Sequence, residues 1–160
     1  KGPLHYQGLV RVPFIWAEPQ QTRGMRCPEL AGTIDIARTL LARAGLAATN
    51  GMQGRIVPGA ACGLGTAEPD SMLIEEDTQS ASLGFHDPIR ARTLVTQRWR
   101  LSLYLGIDWG ELYDLAEDPH EERNLWGCAS HREFRLELVQ TLVQKMMALC
   151  DRSPLPTARA

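Results

Sequence analysis

At 160 residues, with 44% hydrophobic and 22% charged side chains, the chain is long enough for a packed core and has the composition of a globular protein. A formal charge of −2 excludes the strongly basic surface of a general nucleic-acid binder, and no apolar run approaches the roughly 20 residues of a membrane span. Cys27, Cys62, Cys128 and Cys150 form no C-x-x-C pair and are too sparse for a disulfide scaffold, so reduced thiols in a cytoplasmic protein are expected.

The chain opens on Lys1-Gly2-Pro3 rather than Met, as a fragment or processed product would. The apolar run Val12–Trp16 is expected to be a strand buried on both faces, with Pro13 near its start. A loop follows over 19–28. The spacing over 33–44 predicts a helix. Thr33 is its N-cap and Asp35 lies in its first turn. Ile34, Ala37, Leu40, Leu41 and Ala44 form its apolar stripe, and Gly45 ends it in the left-handed region. Residues 47–70, rich in Gly, Ala and Pro, read as a long irregular loop carrying Gln53-Gly54-Arg55.

Residues 71–75 read as a strand. From Arg90 to Tyr104 the chain alternates, with Trp99, Leu101 and Leu103 on an apolar face. Arg90, Arg92, Arg98 and Arg100 lie on a face expected to be solvated. Gly106-Ile107-Asp108 turns this strand, 93–105, into a second one at 110–115. Arg98 and Arg100 would then face Glu111 or Asp114 as surface pairs, contributing about 0.2–1 kcal/mol each. Asp118-Pro119 stops the hairpin. The Asp118 carboxylate folds back on the following amides, and Glu121 and Glu122 suit the first turn of a short helix. Leu125 and Trp126 return to an apolar surface. Residues 130–150 predict a second helix with a Ser130/Glu133 capping box. Its stripe of Phe134, Leu138, Val139, Leu142, Val143, Met146, Leu149 and Cys150 would dock on Trp99, Leu101 and Leu103. Residues 153–160 are a tail. The fold class is α+β, a small antiparallel sheet packed on a C-terminal helix, in two parts, 1–70 and 71–160.

Site signals are sparse. His5, His86, His120 and His131 show no H-x-H or H-E-x-x-H spacing, and His131 suits the start of the second helix. Ser71, Ser80 and Ser82 lie outside any G-x-S-x-G frame, and the glycines near Gly63 match no phosphate-binding loop. His5, beside Tyr6, is either a surface-loop residue or one that lines a substrate pocket.

Glu111-Leu-Tyr-Asp-Leu115, followed by Asp118-Pro119-x-Glu121-x-x-Asn124-Leu125, resembles the C-terminal signature of the sulfatases, arylsulfatase-type members of the alkaline-phosphatase-like superfamily. The opening Lys1–Trp16, with its Arg11-Val12-Pro13, resembles the segment that follows that family's metal-binding motif. The resemblance implies that strand 12–16 and helix 33–44 end a large α/β sheet, and that Lys1, if not merely a frayed terminus, contacts the sulfate ester. It also implies a formylglycine nucleophile and a divalent metal of the calcium type. The formylglycine motif, Cys/Ser-x-Pro-x-Arg, is not matched by Cys27-Pro28-Glu29-Leu30, and the metal ligands lie in segments that this chain lacks. The expectation is therefore a sulfatase C-terminal portion with no catalytic or metal-ligating residue of its own, with Lys1 and His5 as its substrate-binding candidates. Alone it would be inactive, its partners being an N-terminal catalytic core and a sulfate ester. Two other readings are a binding module that homo-oligomerises through open sheet edges, and part of a phosphodiesterase or phosphonate monoester hydrolase of the same superfamily.

Overall fold

A computed structural model describes residues 4–17, 24, 26–57, 71–81 and 84–150. They form α1 (Gln7–Val10), α2 (Asp35–Arg43), β1 (Ser71–Asp77), β2 (Arg90–Thr96), β3 (Trp99–Tyr104), β4 (Gly110–Asp114), a 3-10 turn (Ala129–His131) and α3 (Arg132–Ala148). Two compact units contain them: Lys1–Pro13 with Asp70–Ala148, and Phe14–Pro69 with Leu149–Ala160. The described residues 4–13 thus belong to the same unit as the sheet.

In the first unit the strands form an antiparallel meander, β1-β2-β3-β4. The single strand expected over 93–105 is two strands, reversed at Gln97-Arg98. The Thr96 hydroxyl makes this turn, accepting from the amides of Trp99 (2.8 Å) and Arg98 (3.3 Å). A side-chain hydroxyl does here what Gly or Asn does elsewhere, so the reversal leaves little trace in composition. It also shifts the alternation: Leu94 pairs with Leu101, which pairs with Leu112, and an even residue of β2 shares a face with an odd residue of β3.

That shared face is the core. Leu94, Leu101 and Leu112 pack with Leu125 and with Leu138 and Leu142 of α3, and Leu73, Trp99, Leu103, Phe134, Val139 and Met146 surround them. Leu138 and Leu142, four apart, lie on one side of the helix. The Trp99 and Phe134 rings are 4.7 Å apart, so α3 docks where expected. Its stripe is narrower than expected, with Val143 exposed. The capping box does not form. The 3-10 turn has no side-chain cap, and Ser130 Oγ instead contacts Cys128 Sγ and His131 Nδ1.

The 118–126 segment seals the outer edge of β4. Asp118 accepts from the amides of Glu122 (3.1 Å) and Arg123 (2.8 Å), as expected. Glu121 starts no helix; it sits at φ 58 and its side chain is buried. Asn124 Oδ1 accepts from the Leu112 amide and its Nδ2 donates to the Gly110 carbonyl, both at 3.0 Å, while the Leu125 amide donates to the Leu112 carbonyl at 2.8 Å. Asn124-Leu125 thereby occupies ladder groups that an unprotected edge would offer to another chain. Gly110 permits this approach. A Cβ there would meet the Ser102 carbonyl at 2.6 Å and the Trp126 ring at 2.7 Å.

The second unit departs further from expectation. No strand forms at 12–16, and Ile15 is 89% exposed. A strand needs a neighbouring backbone to complete its ladder, and the sheet's four strands pair only with one another. Helix α2 begins at Asp35 rather than at a Thr33 cap, and the Asp35 carboxylate accepts from the amides of Gly32 and Arg55, both at 2.9 Å. Gly45, at φ 70, ends the helix as expected. The expected apolar stripe is not the buried side: Asp35 and Thr39 are buried while Ile34 and Leu40 are exposed. Polar anchoring explains the inversion. Thr39 Oγ1 donates to the Asp35 carbonyl (2.7 Å) and accepts from the Val57 amide (3.0 Å), holding segment 54–57 against the Asp35/Thr39 side. A Cβ at Gly54 would overlap the Ile34 carbonyl, so the turn expected at 53–55 is used for close packing.

Candidate functional site

The second face of the sheet, expected to be solvated, holds a buried polar cluster. Thr93, Ser102 and Glu111 are cross-strand neighbours, and Arg100 is paired with Tyr113. Arg100 is 0% exposed. The segment carrying His5, Tyr6 and Gln7 covers it. His5 Nδ1 lies 2.8 Å from Thr93 Oγ1, which is 2.6 Å from Ser102 Oγ. The Tyr6 hydroxyl donates to Glu111 Oε1 at 2.7 Å, and the Gln7 amide donates to Glu121 Oε2 at 2.6 Å. The sequence-predicted Arg100–Glu111 pair exists at 2.9 Å, but it is buried rather than a surface contact. Arg98–Asp114, at 2.7 Å, is the half-exposed pair expected.

Two carboxylates converge on one guanidinium. Arg100 Nη1 donates to Glu111 Oε2 and to Ser102 Oγ (2.7 Å), and its Nε donates to Glu121. Its carbon lies 4.8 Å and 4.7 Å from the ring centres of Tyr6 and Tyr113. Tyr104 completes the set, donating to Glu111 Oε2 at 2.9 Å. Burial disfavours the charged guanidinium, yet Glu111 and Glu121 outweigh it and raise the pKa of Arg100 above its ordinary value. Burial and the bond to Glu111 push the Tyr6 phenol up, and burial with the Glu111 charge does the same to Tyr104. Burial lowers the pKa of His5, against the opposing charges of Glu76 and Glu111 and with those of Arg100 and Arg92, so the ring is neutral at pH 7. The Glu111 and Glu121 carboxylates are already engaged by donors, so the cluster anchors a segment and offers no free carboxylate base.

Of the two sequence-predicted site residues, Lys1 lies outside the described residues and His5 is 4% exposed. His5 is not in an exposed loop, because Thr93 and the sheet cover it. Sequence reasoning placed Arg100 opposite Glu111 but on a wet face, and missed Tyr6, Tyr104 and Glu121, since nothing in alternation alone says that a polar face will be covered. Among the described residues no three His, Cys, Asp or Glu side chains group as a metal site, and no helix is long and apolar enough to cross a membrane.

Among the described residues, Cys27, Cys128 and Cys150 are reduced thiols, and Cys62 lies outside them. Hydrogen bonds with Ser130 first and then His131 bring the Cys128 thiol down to about 7 from the ordinary 9.0. Alkylation of Cys128 by iodoacetamide, followed by peptide mass spectrometry, is therefore expected to rise through pH 7 and level off above it. Ser130→Ala should move that midpoint upward. A midpoint already near the ordinary thiol value in the unmodified chain would contradict the relay.

A family described as "N-sulphoglucosamine sulphohydrolase, C-terminal" matches residues 3–148. An N-acetylglucosamine-6-O-sulfatase of Bacteroides thetaiotaomicron is 26% identical over 151 residues, which are 93% of this chain and 27% of that protein. A crystal structure of a putative sulfatase from the same organism superposes with a TM-score of 0.76 at 24% identity, covering 94% of this chain and 32% of that one. The phosphonate monoester hydrolase of Agrobacterium radiobacter superposes with a TM-score of 0.63 at 23% identity, covering 77% and 26%. This chain thus spans about a third or less of the length of each.

Proposed function

The chain belongs to the C-terminal family of N-sulphoglucosamine sulphohydrolase, and from that premise we propose that it serves a larger enzyme hydrolysing sulfate esters of amino sugars. The observation that carries this reading is the clamp on residues 5–7, four to six positions after Lys1 by subtraction of their numbers. His5, Tyr6 and Gln7 are each bonded to the sheet unit, to Thr93, Glu111 and Glu121. In this reading Lys1 contacts the ester, and its ammonium offsets charge that builds on the ester oxygens as the S–O bond breaks. His5 acts through the backbone it holds. A rigid anchor a few residues away limits how far the ammonium can stray from the ester.

A formylglycine and a divalent metal of the calcium type belong to this reading as groups held elsewhere in the enzyme. The donors of the polar cluster do not fit a dication. Glu111 and Glu121 are both bonded to Arg100, and a guanidinium already occupies the position a metal would need. No step is drawn through that metal. The exposed Phe14, Ile15, Ile34, Leu40 and Leu46 suit contact with the rest of the same enzyme, which is the partner proposed here.

The test is turnover of 4-nitrophenyl sulfate and of a phenyl phosphonate monoester, by the purified 160-residue chain and by the enzyme translated from the longer reading frame. The short chain is expected to be inert and the longer enzyme to prefer the sulfate. Turnover by the short chain would overturn the division of labour. Preference for the phosphonate would favour the phosphonate monoester hydrolase reading.

A further inference from the structure

The segment over the polar face of the sheet is held by contacts of different chemistry. Leu4 packs on Ile89, Ala91 and Tyr104. Tyr6 and the Gln7 amide are bonded to Glu111 and Glu121. His5 ends a chain of hydrogen bonds whose direction follows from its members. The chain starts at Arg100. A guanidinium only donates, so Ser102 Oγ accepts from Arg100 Nη1. The other partner of Ser102 is Thr93 Oγ1 at 2.6 Å, and a serine hydroxyl has one hydrogen to give. Giving it to Thr93 leaves the threonine hydrogen for His5 Nδ1, at 2.8 Å. Every member is then satisfied, with Nδ1 of His5 an acceptor and the ring proton on Nε2. The reverse order would leave the Ser102 hydrogen buried without an acceptor.

We propose that His5 is a pH-sensitive latch, whose protonation releases segment 4–11 from the sheet and opens the buried polar face to water. A proton on Nδ1 turns that acceptor into a donor. Thr93 must then accept from His5 and give its own hydrogen to Ser102, which loses the acceptor it had. The closed state thus resists the proton through its bonding as well as its burial. Burial holds the pKa of His5 below the ordinary 6.5. Arg100 of β3 and Arg92 of β2 act in the same sense, and Glu76 of β1 and Glu111 of β4 oppose it. Glu121, after β4, is paired with Arg100. Once the segment lifts, the ring stands in water and regains its ordinary value. Opening therefore takes up a proton below pH 6.5. The closed state keeps its full stability above that pH and loses it as the pH falls, by up to about tenfold in the opening equilibrium per pH unit. α1 has four residues, too few to persist after release. The bonds from the Leu9 and Val10 amides to the Tyr6 carbonyl, and from the Arg11 amide to the Gln7 carbonyl, should break with it. The latch is a property of this chain and stands without the sulfatase reading.

The test is amide hydrogen exchange of the 15N-labelled 160-residue chain between about pH 7.5 and about pH 5.5, with rates corrected for the intrinsic effect of pH on exchange. The Gln7, Leu9, Val10 and Arg11 amides are expected to keep their protection above pH 6.5 and to lose up to about tenfold of it over the next pH unit down. The amides of the β2–β3 ladder should keep theirs throughout. His5→Gln, whose amide oxygen can accept from Thr93 and carries no titrating proton, should hold the four amides protected across the whole range. Long-range 1H–15N spectra of the imidazole at about pH 7.5 should show Nδ1 bare and Nε2 protonated. Unchanged protection of the four amides at low pH, or the same loss in His5→Gln, would overturn the latch. So would a loss shared equally by the ladder, or a proton found on Nδ1 at the upper pH.

Discussion

Arg100→Ala is expected to lower the unfolding free energy by about 3–5 kcal/mol, the range for removing one partner of a buried ion pair. The cause is not the loss of an attraction alone. Glu111 and Glu121 would remain buried beside each other with no cation between them, and Tyr6 and Tyr113 would lose the group their rings enclose. Against a typical domain stability of about 5–15 kcal/mol, that is a large share of what keeps the chain folded. Urea denaturation followed by circular dichroism checks it. Glu111→Gln and Glu121→Gln placed together on Arg100→Ala should recover part of the loss, because neutral amides can be buried at lower cost. A loss below about 1 kcal/mol, the value of a solvated pair, would mean that the face is open to water.

Leu101→Ala should cost about 2–5 kcal/mol, as large-to-small changes in a packed core do. Leu101 is fully buried between Leu94 and Leu112 in register and beneath α3, so the space it vacates is walled on both sides by strands that cannot close inward. Val143→Ala, on the exposed side of α3, is the control and should stay within about 0.5 kcal/mol. The same denaturation series reads both. Equal losses at the two positions would show that α3 does not lie on the sheet through Leu138 and Leu142.

Much of the architecture was legible because local rules and the global fold agree. The 99–104 strand follows period-two alternation, and α3 follows its Leu138/Leu142 spacing. Asp118-Pro119 announced a turn by chemistry that acts within a few residues, and the Asp118 carboxylate caps the amides expected of it. The reversal at Gln97-Arg98 was illegible for the converse reason. A threonine hydroxyl makes it, and threonine is also a strand former. The apolar pattern over 12–16 and 33–44 misled because hydrophobicity states a demand for burial without saying where the partner is.

The polar cluster shows where that boundary lies. Residue order along the chain was sufficient for the hairpin pairs Arg98–Asp114 and Arg100–Glu111, because antiparallel register follows from alternation and turn position. It could not say that Arg100 is dry and Arg98 wet. That depends on Tyr6 and Glu121, 94 and 21 residues away by subtraction of their numbers, closing over one end of the face. Sequence alone determined which residues could be charged, apolar or turning. Only the folded chain decided which of those charges lost its water, because desolvation depends on what arrives from far away.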